Sequence, residues 1–197
     1  MDLRIVATKA QRRKEVLARR AVAHRDGAGR AAAAAKRLLA HLDGLGRLDV
    51  ATRVAGYRPI RSEIDTAPVL ATMAARGVAL AMPVVEGAGQ PLGFRPWAPG
   101  VAEVEGAFGA PIPADATAVT PRILIVPLVA FDEDCFRLGY GGGFYDRSLE
   151  RLRAADPDLL AIGYAYAAQA TADLPREPTD QRLDAVVTED ALHLPPG

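Results

Sequence analysis

Residues 137–146 form the stretch that most constrains the fold, because four glycines lie between an arginine and an aspartate, directly before a helical pattern. Glycine lets backbone N–H groups come close to an anion, and a helix that starts there directs the positive end of its dipole into the same space. After Asp146, Leu149 and Leu152 give an apolar side, and Pro157 closes the helix. The stretch therefore predicts a cradle for phosphate and metal at a helix start.

The spacing of these glycines differs from two common phosphate-binding loops. The stretch lacks the Gly-Lys-Ser/Thr ending of a P-loop, and Phe144 occupies the position of the third glycine of a Rossmann fingerprint. Glycine clusters also occur as tight connections without a ligand, so the glycines alone leave that alternative open. Arg137 and Asp146 at the two ends of the stretch favour the cradle.

The order of the apolar segments predicts a three-layer α/β/α domain with a mainly parallel, Rossmann-like sheet. Strand-like runs alternate with helical periodicity, which is typical of parallel strands joined by helices. Strands are expected at residues 53–57, 78–83, 123–130, 159–166 and 184–188. Helices are expected at 9–24 and 30–42, interrupted at Gly27 and Gly29, then from an N-cap at Thr66, and after Asp146. We expect one domain over residues 1–197, with the cradle beyond the carboxyl end of the 123–130 strand.

Residues 87–121 are rich in glycine and proline, and the segment is too long for a plain connection between two elements. The segment Phe94-Arg-Pro-Trp97 inside it reads as an extended piece. This region is therefore either functional or a small excursion from the sheet, and both alternatives stay open.

Length and composition restrict the possible functions. Half of the 197 residues are hydrophobic and the formal net charge is zero, so the chain can bury a sizeable core and shows no basic surface for nucleic acid. No apolar run approaches the ~20 residues that span a bilayer, and the basic start has no apolar signal core. The single cysteine excludes an intrachain disulfide. We expect a cytoplasmic monomer that acts on a small molecule, with no nucleic-acid or membrane partner.

Several segments, in order along the chain, resemble the 5-formyltetrahydrofolate cyclo-ligase family, also called 5,10-methenyltetrahydrofolate synthetase. The most specific is the run at 126–132 followed by 137–146, which is similar to the family's VPG-L-AFD and RLGYGGGYYD sequences. The supporting pieces are Lys9 with Arg13, Tyr57 with 62–66, 94–97, 106–109 with Pro113, and 177–184. Cys135 and Phe136 depart from this pattern, because the family often has a glycine in the turn before Arg-Leu-Gly.

The resemblance implies a NagB/RpiA/CoA transferase-like fold and an ATP- and Mg²⁺-dependent enzyme. In the family reaction, the formyl oxygen of 5-formyltetrahydrofolate is phosphorylated, N10 attacks the activated carbon, and phosphate leaves to give 5,10-methenyltetrahydrofolate. Positioning and charge neutralisation are then the main tasks of the protein, which agrees with a chain that shows no Ser-His-Asp or Cys-His arrangement. Two alternatives are a paralogue that uses the same cradle on another small substrate, and a non-enzymatic folate- or nucleotide-binding protein.

The resemblance also implies roles for individual residues. The implied catalytic residues are Arg137 and Tyr145. The implied ATP-binding residues are Lys9, Arg13, Arg137, Leu138, Gly139, Tyr140, Gly141, Gly142, Gly143, Phe144 and Tyr145. The implied folate-binding residues are Arg58, Glu63 and Phe108, and the implied Mg²⁺ ligands are Asp146 and Asp180, with Asp184 a less favoured third.

Each role has a plainer alternative. Lys9 and Arg13 lie four residues apart on one helical face, yet composition alone favours a solvated basic helix. Only three of the 24 basic residues are lysine, and we attribute this to compositional bias that makes single arginines uninformative. Tyr145 could be a core residue, and Phe108 and Trp97 could stack on folate or pack against the sheet.

Overall fold

A computed structural model describes residues 3–172 and 174–196, with side chains described from residue 8 onwards. The helices are α1 (Leu3–Arg25), α2 (Gly27–Gly44), α3 (Ala67–Ala75) and α4 (Phe144–Ala155). The strands are β1 (Arg53–Ala55), β2 (Ala79–Val85), β3 (Leu92–Trp97), β4 (Glu103–Val104), β5 (Ile112–Pro113), β6 (Ile123–Val126), β7 (Ala130–Phe131), β8 (Arg137–Leu138), β9 (Leu160–Tyr164), β10 (Ala185–Val187) and β11 (Leu192–His193). Single turns of 3₁₀-helix occur at Ala107–Gly109 and Ala167–Gln169.

Seven strands form the central sheet in the order β11-β10-β9-β6-β1-β2-β3. The five inner strands pair in parallel, whereas β3 and β11 are antiparallel to their neighbours. The predicted α/β fold with a mainly parallel sheet is confirmed. Strand β11 was not predicted, because two residues are too few to show a periodicity.

The sheet buries a different core on each of its faces, because side chains of a strand alternate between the two sides. Ile123 and Ile125 pack with the apolar sides of α2 and α3, and Leu124 and Val126 pack with α4. The buried helix residues on the first side include Leu38, Leu42, Val69 and Met73, and on the second side Leu149 and Leu152. Helices on both faces of the sheet therefore give the three layers of an α/β/α domain.

The starts of two helices differ from the predictions, and a predicted N-cap side chain binds elsewhere. α1 begins at Leu3 rather than Lys9, and α2 begins at Gly27, so Asp26 alone separates them and Gly29 is helical. The alanine run after Gly29 has high helix propensity, which overrides the glycine. Thr66 lies at the predicted N-cap of α3, but its hydroxyl donates to the Tyr57 carbonyl oxygen at 2.8 Å and does not cap the helix.

The predicted strand at 123–130 is divided in two. Strand β6 ends at Val126, and β7 begins at Ala130 in a separate hairpin with β8. Pro127 follows Val126 directly and has no N–H group to donate to a neighbouring strand, so the ladder ends there. The chain after β6 is thereby released from the sheet and becomes part of the loop region.

Residues 87–121 are an excursion from the sheet. They contain the edge strand β3, which confirms the extended piece at 94–97, and the small β4–β5 sheet. The returning chain covers the outer edge of β3, because the Val119 N–H group donates to the Phe94 carbonyl oxygen at 3.0 Å. Arg95 Nη1 adds a bond to the Pro113 carbonyl oxygen at 3.0 Å.

The packing of α2 on the sheet yields a stability prediction. Leu38 is fully buried in α2, whereas Leu45 at the end of that helix is 48% exposed. We expect Leu38→Ala to lower the free energy of unfolding by about 2–5 kcal/mol, because it removes apolar burial and leaves a cavity. Leu45→Ala, the matched control, should cost less than ~1 kcal/mol. Urea unfolding measures both changes, and equal losses would contradict the assigned packing.

Candidate active site

The loops at the carboxyl ends of β1 and β6 lie at the same edge of the sheet, because these strands are parallel neighbours. The chain after β1 carries Glu63, and the chain after β6 continues through the β7–β8 hairpin into the glycine-rich loop, residues 139–143. Helix α1 packs on this hairpin, with Val16 buried against Ala130 and Leu138. The candidate site is formed where these three segments meet.

The glycine-rich loop leads directly into α4. Gly141 has φ of 104° and Gly143 has φ of 64°, a region that favours glycine. Gly143 is the N-cap residue of α4, and its helix start has no side-chain cap among the described residues. The first N–H groups of the helix are therefore available to an anion. Asp146 lies inside the first turn, two residues after the helix begins at Phe144.

Arg13 reaches the glycine-rich loop from α1. Its Nε donates to the Gly139 carbonyl oxygen at 2.8 Å, and its guanidinium lies against Gly141. Burial lowers the pKa of Arg13, while the charges of Asp180 and Glu177 oppose this effect. The guanidinium stays protonated at any physiological pH. A fixed positive charge thus lies beside the loop backbone, so the reading of Arg13 as a merely solvated residue is wrong.

Arg137 connects β8 to α4 and to the chain before β10. Its Nη2 lies 2.9 Å from Asp146 Oδ1, and its Nη1 donates to the Gln181 carbonyl oxygen at 2.7 Å. The Gln181 N–H group also donates to Asp146 Oδ1, at 2.9 Å. The Arg137 side chain is 4% exposed. These bonds fix its guanidinium in a single place at the helix start.

Lys9 is a buried residue and not a solvated one. Its Nζ lies 2.7 Å from Asp180 Oδ2 and 2.8 Å from Glu177 Oε2. Burial alone would lower the pKa of Lys9, but the hydrogen bonds and charges of Asp180 and Glu177 outweigh it, and the pKa is raised. The Glu177 N–H group also donates to Asp180 Oδ2, at 2.7 Å. The ammonium is therefore charged and fixed by a carboxylate pair.

Asp146 and Asp180, the two predicted metal ligands, are joined through adjacent backbone, because the N–H group bound by Asp146 belongs to Gln181. Each carboxylate uses one oxygen in these bonds, and within the described chain Asp146 Oδ2 and Asp180 Oδ1 accept no hydrogen bond. Across residues 3–172 and 174–196, no group of three or more His, Cys, Asp or Glu side chains could hold a metal. Two free carboxylate oxygens fit Mg²⁺, which takes one or two carboxylates with phosphate oxygens and water.

Asp184 has a structural position. Its Oδ2 accepts from the Ala161 N–H group at 2.7 Å and from Arg153 Nη2 at 2.9 Å. Ala161 belongs to β9, and Asp184 directly precedes β10. The side chain therefore ties two neighbouring strands together, which favours a structural role for Asp184 over that of a third metal ligand.

Glu63 is a buried carboxylate in the loop after β1. Its Oε2 accepts from the Ile60 N–H group at 2.9 Å, and its Oε1 lies 4.0 Å from Arg20 Nη1. Burial raises the pKa of Glu63 to about 7, although the Ile60 N–H group and the charges of Arg20 and Arg61 act in the opposite direction. The group thus changes charge near neutral pH, and its position is determined by the loop backbone.

Tyr145 lies near both Glu63, in the loop after β1, and Arg137, which contacts the start of α4. Burial and the charge of Glu63 raise its pKa, and the charge of Arg137 acts against them, so the hydroxyl stays protonated. The ring packs against the core under α4, as the plainer reading expected. Tyr145 as a whole is half-buried, and among the described residues its hydroxyl makes no hydrogen bond. A hydroxyl near both Glu63 and Arg137 is available to bind a ligand that extends from one to the other.

The other predicted nucleotide-binding residues differ in their exposure. Leu138 is 3% exposed in the core under α1, so any ligand contact must come from its backbone. Tyr140 is partly exposed, and its hydroxyl accepts from Arg20 Nη2 at 2.5 Å. The half-buried ring of Phe144 packs on the core under α4. The sequence predicted the same role for all three residues. In the structure they differ in what they can offer a ligand: Leu138 only its backbone, Tyr140 its hydroxyl, and Phe144 its ring.

Phe108 and Arg58 are the other two predicted folate-binding residues. Phe108 is 73% exposed with φ of 59°, and its ring lies edge-on to Phe144 at 6.2 Å between centroids. The alternative that Phe108 packs against the sheet is therefore wrong. Arg58 forms an ion pair with Glu103 and lies 5.1 Å above the Trp97 ring, which itself packs on the core. Arg58 must leave or share these partners to bind a substrate.

Comparison with known proteins identifies the family to which the chain belongs. A model of the 5-formyltetrahydrofolate cyclo-ligase family matches residues 5–189, which include Glu63, the glycine-rich loop and both predicted metal ligands. The chain belongs to this family. Among curated cyclo-ligases, the Mycolicibacterium smegmatis protein is 31% identical over 144 residues, which cover 68% of this chain and 72% of that protein. The Escherichia coli K12 protein is 50% identical over 66 residues, 34% of this chain, and the chain matches about a third (35%) of the length of that relative.

Two solved structures resemble the chain over most of its length. The Aquifex aeolicus 5,10-methenyltetrahydrofolate synthetase has a TM-score of 0.74 and 30% identity, and the match covers 94% of this chain and 92% of that one. The Mycoplasma pneumoniae 5,10-methenyltetrahydrofolate synthetase has a TM-score of 0.73 and 22% identity, over 92% and 98% of the two chains. The latter likeness concerns the fold alone.

Two residues of the candidate site were missed from the sequence. Arg20 is fully buried beside Glu63, and Glu177 binds Lys9. Arg20 lies seven residues after Arg13, so spacing places it on the same helical side, together with buried Val16. That periodicity was a usable signal, but the abundance of arginine concealed it.

In the part of the chain that the structure describes, no helix is long and apolar enough to cross a membrane.

The buried carboxylate of Glu63 predicts a stability effect that depends on pH. Its ordinary pKa is 4.5 and burial raises it to about 7, so between these values the folded chain binds more protons than the unfolded chain. Stability conferred by Glu63 therefore falls as pH rises through this window. We expect Glu63→Gln to raise the free energy of unfolding over wild type by about 2–3 kcal/mol at pH 8 and by little at pH 4.5.

Urea unfolding at the two pH values measures this effect. Glu105→Gln removes an exposed carboxylate and is the matched control, with a change below ~0.5 kcal/mol at either pH. A benefit of Glu63→Gln that is the same at both pH values would contradict the described environment.

Proposed function

We propose that the protein converts 5-formyltetrahydrofolate to 5,10-methenyltetrahydrofolate, using ATP and releasing ADP and phosphate. The family membership supports the reaction. The observation that carries the proposal is the pair of fixed cations at one glycine-rich helix start, Arg13 and Arg137, with a third, Lys9, held on the neighbouring Asp180. Together they make the electrostatic site that phosphoryl transfer requires.

The nucleotide phosphates bind at the glycine-rich loop in this proposal. The uncapped N–H groups at the start of α4 supply donors, and Arg13 adds charge against the loop. Arg137 is already oriented by Asp146 and needs little reorganisation to contact the transferred phosphoryl group. Phosphate affinity then comes from backbone and charge, with no protein nucleophile.

Asp146 and Asp180 hold Mg²⁺ in this proposal, with the oxygen that each leaves unbonded in the protein. When bound, the ion neutralises phosphate charge. Arg137 orients the first carboxylate and Lys9 the second. Both aspartates are therefore kept in place by a cation before any ligand arrives.

The folate binds on the Glu63 side. As a carboxylate, Glu63 accepts hydrogen bonds from the donor-rich edge of the reduced pterin, and Phe108 offers an exposed ring for stacking. Tyr145, near both Glu63 and Arg137, is available to the formyl group at the junction of the two halves. The formyl oxygen attacks the γ-phosphorus and ADP leaves; N10 then attacks the formyl carbon, and phosphate leaves with that oxygen.

One assay tests the proposal against its alternatives. Pure protein is mixed with ATP, Mg²⁺ and 5-formyltetrahydrofolate, while methenyl absorbance and ADP are followed together. Equal amounts of both products support the proposal. ADP without methenyl product would favour another substrate, and folate binding without turnover would favour a binding protein. The monomeric state, the cytoplasmic location and the single domain over residues 1–197 stay predictions from the sequence.

Asp146→Asn tests the metal assignment. The amide oxygen can still accept from Arg137 and Gln181, so the fold should be retained while the carboxylate charge is lost. We expect a fall in turnover of about 10- to 100-fold and a need for more Mg²⁺. Glu150→Gln, on the exposed side of the same helix, is the control and should leave the Mg²⁺ dependence unchanged. Wild-type turnover in Asp146→Asn would remove the assignment.

A further inference from the structure

Arg20 has a fully buried side chain near the carboxyl end of α1. Removing a charged group from water is unfavourable unless hydrogen bonds and an opposite charge compensate for it. The hydrogen-bond partners of Arg20 therefore hold its guanidinium in place. These partners indicate the role of the residue.

The partners of Arg20 belong to three segments of the chain. Its Nε donates to Ser62 Oγ at 3.1 Å, its Nη1 to the Leu128 carbonyl oxygen at 3.3 Å, and its Nη2 to the Tyr140 hydroxyl at 2.5 Å. The nearest carboxylate is Glu63, at 4.0 Å from Nη1. One side chain thus contacts the folate loop, residues 57–66, the segment after β6, and the glycine-rich loop.

Tyr140 strengthens this connection from the side of the glycine-rich loop. The Arg20 guanidinium carbon lies 5.5 Å from the centroid of the Tyr140 ring, and that of Arg61 lies 5.2 Å from it. Both distances are within the range of cation–π attraction. Arg61 and Ser62 belong to the folate loop, so a movement of Tyr140 changes contacts made by that loop and by Arg20 together.

We propose that Arg20 is a positioning residue that couples the two substrate subsites, so that nucleotide bound at the glycine-rich loop raises the affinity for folate at Glu63. The proposal rests on the function proposed above. Its physical basis is that the planar guanidinium has donors in fixed directions and satisfies Ser62 and Tyr140 at once. A ligand that moves one loop therefore changes the contacts that hold the other.

Coupling of this kind is reciprocal and can be measured as a ratio of dissociation constants. Calorimetry gives the Kd of 5-formyltetrahydrofolate with and without a non-hydrolysable imido analogue of ATP and Mg²⁺. We expect the analogue to tighten folate binding to wild type about 10-fold, and the folate to tighten analogue binding by the same factor.

Three variants weaken the hydrogen bonds of Arg20 to the two loops in different ways. Arg20→Lys keeps the charge but not the fork of donors, whereas Ser62→Ala and Tyr140→Phe each remove one acceptor and keep the folded core. We expect the ratio to fall below about 3 in each variant. Arg19→Lys is the matched control, because Arg19 is exposed on the same helix and contacts only the Ala170 carbonyl oxygen among the described residues. It should keep the wild-type ratio and turnover.

The outcomes separate this proposal from the proposed function. An unchanged ratio in both Ser62→Ala and Tyr140→Phe would overturn the coupling role, as would a wild-type enzyme that turns over with independent binding of its substrates. A purely structural role predicts lower stability with the ratio retained. Absence of both folate binding and turnover in wild type would overturn the proposed function itself.

Discussion

Helix α1 makes charged hydrogen bonds to every loop of the candidate site, and the arrangement of the site depends on them. Lys9 binds the chain before β10, Arg13 binds the glycine-rich loop, and Arg20 binds the loop at residues 57–66. These residues recur at intervals of four and seven, so one side of one helix supplies all three charges. Because buried charges are costly without partners, the helix and the loops determine each other's positions. The sheet supplies a rigid edge, and α1 holds the loops that leave it.

The charges of the site are paired within the protein before any ligand is present. Lys9 is held by Asp180 and Glu177, and Arg137 is held by Asp146. A phosphate that approaches these cations therefore meets groups whose directions are already set, which is the main requirement for electrostatic stabilisation of a transferring phosphoryl group. Glu63 differs from these carboxylates, because burial rather than a close cation dominates its environment and raises its pKa to about 7.

Much of the fold was predictable because its strands are continuous apolar runs and its helices have apolar sides. The error at 123–130 arose from counting Pro127 as a strand residue although it cannot donate to the ladder. The glycine-rich loop was recognisable because backbone conformation there demands glycine. Arg20 was not recognised, because its helical spacing shows only which side of α1 it lies on, whereas its importance comes from contacts with residues 42 and 120 positions away. The pairing of Lys9 with Glu177 has the same long-range origin.

The cover over strand β3 has a consequence for the behaviour of the molecule at high concentration. An exposed edge strand is a template on which a second chain can pair and begin an aggregate. Here the returning chain occupies that edge at Phe94, through the Val119 N–H group, and Pro96 in the same strand has no N–H group to offer. The long excursion that leads towards Phe108 thus also shields one side of the sheet from intermolecular pairing.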